Sequence, residues 1–160
     1  VEAIEHVCEQ GKFIEYRQVL VVDKAGKTAI YSGPNSLGIW TQAQGLDVAS
    51  GGNMLANDRV PQAMVDSFLA SSGHLGDRLI SAMRAGLAAG GEAGPLHSAG
   101  ILLVDSVAWP VAELRCDWTD NCPIENIATA WEVYKPQLAA YVQRAIDPRD
   151  APSYGVPGDQ

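Results

Sequence analysis

The sequence is poor in basic residues and has no long apolar run. It contains 11 Lys and Arg against 19 Asp and Glu in 160 residues, which gives a formal net charge of −8. This balance leaves no basic patch for phosphate groups or anionic lipid, so we expect neither nucleic acid nor a membrane as a partner. No apolar stretch approaches the ~20 residues that a membrane-spanning helix needs.

Cysteine is also scarce. The three cysteines, Cys8, Cys116 and Cys122, are an odd number and do not have the spacing of a metal-binding motif. We therefore expect reduced thiols in a cytoplasmic protein, with no bound metal and no cofactor.

The composition that remains is typical of one globular domain. A hydrophobic share of 47% can supply a core for a single α+β domain over residues 1–147. Residues 148–160 are rich in Pro and Gly and predict a tail without a core of its own. Apolar periodicity predicts helices over residues 3–10, 61–71, 75–89 and 123–146, and strands over residues 16–22, 27–31, 39–44, 99–104 and 111–118. The apolar run 99–104 predicts a strand buried on both faces.

The segment Ser-Gly-Gly-Asn at residues 50–53 is predicted to stand at a strand end, where its paired glycines let backbone N–H groups approach a ligand or a neighbouring chain closely. It holds the first candidate site. The pair Gly52 and Asn53 can offer a backbone N–H and a side-chain amide to a developing oxyanion, as acyl transfer requires. The alternative is that Asn53 is a turn residue that tolerates a positive φ. Sequence alone leaves both interpretations open.

Charged residues alternate along the predicted strand 111–118. Arg115 and Asp117 share a face with Glu113. They could clamp a carboxylate or orient the amine of a nucleophile. The alternative is an ion-paired ladder on a solvated or inter-sheet face.

Two further candidates follow the glycines that end the helix 75–89. Glu92 stands in the Gly-rich loop, where it could bind a ligand ammonium or remain a solvated carboxylate. His97 precedes Ser98 and invites a base–nucleophile interpretation, but adjacent strand residues point to opposite faces and do not easily bond each other. His97 is therefore retained chiefly as a candidate for ligand binding.

Four segments together resemble one family. They are YRQVLVVDKAG (16–26), GGNMLA (51–56), RLISAMRAGLAAGGEAGPLHSAGILLVD (78–105) and PVAELRCDW (110–118). The sequence resembles the prokaryotic family called domain of unknown function 1028, which is grouped by fold with the N-terminal nucleophile (Ntn) hydrolases. The resemblance implies a bacterial protein with a four-layer α-β-β-α sandwich that lacks its first strands in this chain.

The resemblance also implies where the chemistry would begin. In such hydrolases an N-terminal Ser, Thr or Cys attacks, and its own α-amino group acts as the base. Val1 can do neither, so we expect a longer native N-terminus that supplies the nucleophile, retained or cleaved. The implied activity is hydrolysis of an unidentified small amide or related C–N bond. The alternatives are a non-catalytic small-molecule-binding protein and a structural protein that forms homo-oligomers, and a homo-oligomer is expected in either case.

Overall fold

The computed structural model describes residues 2–153. Over this range the chain is a mixed α/β protein with three antiparallel two-stranded sheets. It forms two compact units that divide between Leu96 and His97, and each is described separately. No helix in residues 2–153 is long and apolar enough to cross a membrane.

The first unit holds four strands and three α-helices. Their order is α1 (Glu2–Gln10), β1 (Gln18–Val22), β2 (Thr28–Ser32), β3 (Ile39–Gly45), β4 (Val48–Leu55), α2 (Val60–Ala70) and α3 (Leu75–Ala88). β1 pairs with β2 and β3 pairs with β4, so the strands form two hairpins. The predicted helices and the first three predicted strands are therefore confirmed, with ends displaced by one or two residues.

The two hairpins of this unit pack against each other. Gln18 Nε2 donates to the Gly52 carbonyl at 3.2 Å, and the Ser32 hydroxyl donates to Gln42 Oε1 at 2.6 Å. Leu20 packs over Gly51, where an added Cβ would lie 3.4 Å from the Leu20 Cδ2 atom. The glycines of β4 leave room for this close approach.

Helices lie beside the outer faces of the two hairpins. α1 approaches the first hairpin, and Ala3, Val21 and Ala29 line one groove there. α2 packs on the second hairpin, because Gly45 has no side chain to separate β3 from Val65. α3 packs along α2, rather than both helices packing equally on the sheet. The order within this unit is thus α1, first hairpin, second hairpin, α2 and α3.

The segment 50–53, predicted to stand at a strand end, is part of a longer strand. These residues lie inside β4, and Gly51 and Gly52 pair with Gln42 and Thr41 of β3. The close approach predicted for these glycines agrees with the packing of Leu20 over Gly51. The glycine stop after α3 is confirmed, since Gly90 and Gly91 have φ of 130° and 63°.

The second unit contains one hairpin and two α-helices. These are β5 (Ala99–Leu103), β6 (Ala112–Cys116), α4 (Pro123–Tyr134) and α5 (Leu138–Ile146). α4 lies against the hairpin, and Trp131 is fully buried. Burial of β5 on both faces is contradicted: Ile101 and Leu103 are buried, whereas Leu102 is 53% exposed. The strand alternates because α4 covers the face that carries Ile101 and Leu103.

Two 3₁₀ turns interrupt and follow the last helices of the described chain. A 3₁₀ turn at Lys135–Gln137 separates α4 from α5, where Pro136 cannot donate a helical hydrogen bond. Another 3₁₀ turn, Pro148–Asp150, follows α5. Val1 and residues 154–160, which include most of the predicted tail, lie outside the described residues.

Candidate functional site

The first unit has an open cleft where the two hairpins meet. Its volume is about 470 Å³. The residues that line it come from the start of β1, the loop after β2 and the bend in β4: Tyr16, Arg17, Gln18, Asn35, Ser36, Leu37 and Asn53. Asn53, the oxyanion candidate identified from the sequence, is among them.

A β-bulge positions Asn53. Ile39 pairs with Leu55 and Thr41 pairs with Gly52, so Asn53 and Met54 together stand opposite the single residue Trp40. Such a bulge bends the strand and redirects the side chains that it contains. Met54 has a φ of 53°, whereas Asn53 has no positive φ. The turn alternative expected a positive φ at Asn53. The residue with the positive φ is instead its neighbour Met54.

Backbone hydrogen bonds hold the bulge on both sides. The Met54 N–H donates to the Leu37 carbonyl at 2.9 Å, and the Met54 carbonyl accepts from the Ala93 N–H at 2.8 Å. Glu92 forms an isolated bridge with Leu55. A left-handed non-glycine residue is strained and persists only where its surroundings fix it. The bridge to Leu55 places Glu92 at the end of β4, but Glu92 does not line the cleft.

The opposite wall of the cleft is also fixed by backbone contacts. The 3₁₀ turn Ile14–Tyr16 leads into β1, and the loop after β2 packs directly on it. Gly33 N donates to the Arg17 carbonyl at 2.8 Å, and Asn35 N donates to the Glu15 carbonyl at 2.8 Å. These bonds set the positions of Arg17 and Asn35.

The cleft carries more free donors than acceptors. Within residues 2–153, the side chains of Arg17, Asn35 and Asn53 make no hydrogen bond or ion pair. Gln18 Nε2 is already engaged by Ser32 and Gly52, and the Ser36 hydroxyl donates to the Gly33 carbonyl. Arg17 is the one formally charged residue among those that line the cleft. The arrangement suits a ligand that presents carbonyl or carboxylate oxygens.

Sequence reasoning missed Tyr16, Arg17 and Asn35. The available signals were an aromatic and a basic residue immediately before an apolar strand, and an Asn within the Gly-Pro-Asn-Ser loop. Neither signal indicates a site until the fold brings the two segments together.

In the second unit, Arg115 and Asp117 form an ion pair. Arg115 Nε and Nη2 lie 3.1 Å and 2.8 Å from the same Asp117 oxygen. The side chains are 64% and 76% exposed. The hydrogen bond to Asp117, helped by its negative charge, raises the pKa of Arg115 above its ordinary value. The geometry is that of the solvated ion pair, which was the alternative to a carboxylate clamp.

His97 lies just before β5, at the end of the hairpin where Ala99 pairs with Cys116. Its Nδ1 atom is 2.9 Å from the Thr119 carbonyl oxygen, and its ring stacks on Trp118 with centroids 4.0 Å apart. Because a carbonyl only accepts, Nδ1 carries the proton and Nε2 is left as the acceptor when the ring is neutral. Thr119 N also donates to the His97 carbonyl. His97 therefore fastens the two chain segments that flank the β5–β6 hairpin.

The predicted site residues thus fall into separate groups. Gly52 and Asn53 lie at the cleft of the first unit, with Glu92 near the end of β4. His97, Arg115 and Asp117 belong to the second unit. Within residues 2–153, no three His, Cys, Asp or Glu side chains form a group that could hold a metal ion.

Comparison with known proteins identifies the family. The sequence matches the model of a family of unknown function, DUF1028, over residues 1–127. The chain belongs to that family, as the four sequence segments predicted. No curated protein sequence matches it at a significant level.

A solved structure supports the same conclusion. The chain is similar to the crystal structure of protein SPO2555 from Silicibacter pomeroyi, a DUF1028 protein, with 28% identity and a TM-score of 0.74. The match covers 84% of this chain and 59% of the other. The chain therefore spans about three fifths of the length of that relative.

Proposed function

We propose that this chain forms the bulk of an Ntn-hydrolase-like α-β-β-α sandwich that hydrolyses a small amide or related C–N bond. A segment outside this chain supplies the nucleophile, and the Asn53 side-chain amide donates to the oxyanion. The position of Asn53, in a bulge facing the cleft with its amide unpaired, is the observation that carries the proposal.

The packing of the first unit supports the sandwich. α1 lies beside one hairpin, the two hairpins pack together, and α2 covers the other. This is the order of layers expected for an α-β-β-α sandwich. The bulge supports the oxyanion role, because bulges are frequent next to active sites and fix side-chain direction.

The chemistry of the cleft supports a nucleophile from elsewhere. Ser36 is the one hydroxyl of an aliphatic side chain among its lining residues, and that hydroxyl donates to Gly33. No His, Asp or Glu of residues 2–153 lines the cleft to accept a proton from Ser36. A serine without a neighbouring base is a weak nucleophile.

The unpaired donors of the cleft also favour a second candidate, a protein that binds a small molecule without reacting with it. Free amide and guanidinium donors around a cleft of about 470 Å³ are sufficient for recognition. The two candidates share a ligand site and differ only in turnover.

Turnover by the full-length gene product distinguishes them. A panel of N-acyl amino acids and primary amides would be incubated with the protein, and released amine or ammonia would be quantified. We expect Asn53→Ala to lower kcat by about 10²–10³-fold, as for the loss of one oxyanion donor. Gln44→Ala is the matched control, since Gln44 is an exposed amide on the adjacent strand β3 that does not line the cleft.

Two outcomes would count against the hydrolase. Binding of panel compounds by calorimetry without release of amine or ammonia would leave the binding protein as the function. Equal kcat values for wild type and Asn53→Ala would remove the oxyanion role.

A further inference from the structure

The geometry of the cleft points to a ligand class: small amides that carry a free carboxylate and an apolar side chain, that is, N-acyl amino acids. In this arrangement Arg17 binds the carboxylate, and Tyr16 and Leu37 contact the apolar group. The inference rests on the part of the proposed function that makes this cleft the site of a small amide.

Arg17 is placed to bind an anion. Its backbone is held from both sides, since Arg17 N donates to the Ile14 carbonyl at 3.0 Å and its own carbonyl accepts from Gly33 at 2.8 Å. Its guanidinium has no carboxylate partner within residues 2–153, although the whole chain carries a net charge of −8. A guanidinium fork matches the two oxygens of a carboxylate.

The charge of the cleft favours a single carboxylate over a more highly charged group. One Arg, two neutral amides (Asn35 and Asn53) and the Tyr16 hydroxyl supply the free side-chain donors within residues 2–153. These can neutralise one negative charge and donate to an amide carbonyl. A phosphate ester carries close to two negative charges at neutral pH and would remain partly uncompensated.

Two exposed apolar side chains stand beside these donors. Tyr16 and Leu37 line the cleft and are 59% and 67% exposed. The Leu37 carbonyl accepts a hydrogen bond from Met54 N in the bulge, and this bond ties the position of Leu37 to that of Asn53. A ligand side chain that covers these groups would be favoured by apolar burial.

The test compares two probes that differ in one charge. N-acetyl-L-phenylalanine carries the carboxylate, and N-acetyl-L-phenylalaninamide is its neutral counterpart. By calorimetry on the full chain, we expect the acid to bind about 10–100-fold more tightly, the range for charge-assisted hydrogen bonds. Arg17→Gln should reduce that ratio to near one, and Arg17→Lys should restore part of it.

Arg59→Gln is the matched control. Arg59 is an exposed arginine of the same unit that does not line the cleft, so its substitution changes the net charge equally. It should leave the ratio of acid to amide binding unchanged. A thermal melt of each variant checks that the fold is retained.

The results separate this inference from the proposed function. Loss of turnover in Asn53→Ala with an unchanged acid-to-amide ratio in Arg17→Gln would overturn the ligand class and leave the hydrolase. An Arg17-dependent ratio without any turnover would support the ligand class and reject the hydrolase. Equal affinity for both probes, or no binding of either at their solubility limit, would overturn the inference.

Discussion

Gly33 is a residue whose missing side chain shapes the cleft. An added Cβ at this position would lie 2.3 Å from the Glu15 carbonyl oxygen and 2.6 Å from the Ile14 carbonyl oxygen. Both contacts are with backbone, which cannot rotate away as a side chain can. The turn before β1 and the loop after β2 therefore depend on glycine here.

We predict that Gly33→Ala lowers the free energy of unfolding by about 1–3 kcal/mol or more, as overpacking does. Gly94→Ala is the control, because nothing lies within 4 Å of its added Cβ, and it should change stability by about 0.5 kcal/mol at most. Urea denaturation of both variants measures the difference. Equal midpoints would show that the loop can move away from the turn.

Asp147 links stability to pH at the end of α5. Its carboxylate accepts from Arg149 Nε at 2.9 Å and from Arg149 N at 3.0 Å. The side-chain hydrogen bond from Arg149, followed by the backbone one, lowers the pKa of Asp147 below its ordinary 3.8. The unfolded chain thus takes up this proton first as the pH falls, and the stabilisation is lost toward the lower folded-state pKa.

We expect wild type to melt above Asp147→Asn at pH 6, with the difference shrinking as the pH falls below 3.8. Tm measured from pH 6 to pH 2 reports this directly. Arg149→Gln should shrink the pH-dependent difference in the same way, because it removes the donor. A constant gap between wild type and Asp147→Asn would show that titration of this carboxylate is not involved.

At the scale of elements, Gly51 sets the distance between the two hairpins. An added Cβ would make ordinary contact with Leu20 at 3.4 Å, so Gly51→Ala should be close to neutral. Gly51→Val adds two further methyl groups against Leu20 and should cost about 1–3 kcal/mol. Chemical denaturation of both variants tests this, and a neutral Gly51→Val would mean that the hairpins pack loosely.

The elements themselves were predictable because their periodicity is local. The apolar patterns of residues 75–89, 16–22 and 27–31 are properties of neighbouring residues, and the elements that they predict, α3, β1 and β2, are confirmed. The bulge at Asn53 was not predictable, since it exists only as an offset between β3 and β4. Register depends on the partner strand, which one segment does not specify.

The residues of the candidate site also divide into those that the local sequence indicates and those that only the packing brings together. Asn53 was found because a Gly-Asn pair has a local chemical meaning. Arg17 and Asn35 were not found, because their proximity to Asn53 comes from the packing of two hairpins. The exposed face of β5 was misjudged because an apolar run does not reveal which of its faces a helix covers.

At the scale of the whole molecule, exposed apolar side chains predict self-association. In the second unit Leu102, Val104 and Trp118 are 53%, 65% and 70% exposed. Exposed apolar groups beside a strand favour contact with another chain. Sedimentation velocity should therefore find a species heavier than the 17.0 kDa monomer. Leu102→Lys should shift it toward monomer, whereas Gln44→Lys, with the same change in charge at an exposed strand position of the first unit, should not. A monomer at all concentrations would contradict the expected homo-oligomer and would leave the cleft of one chain to act alone.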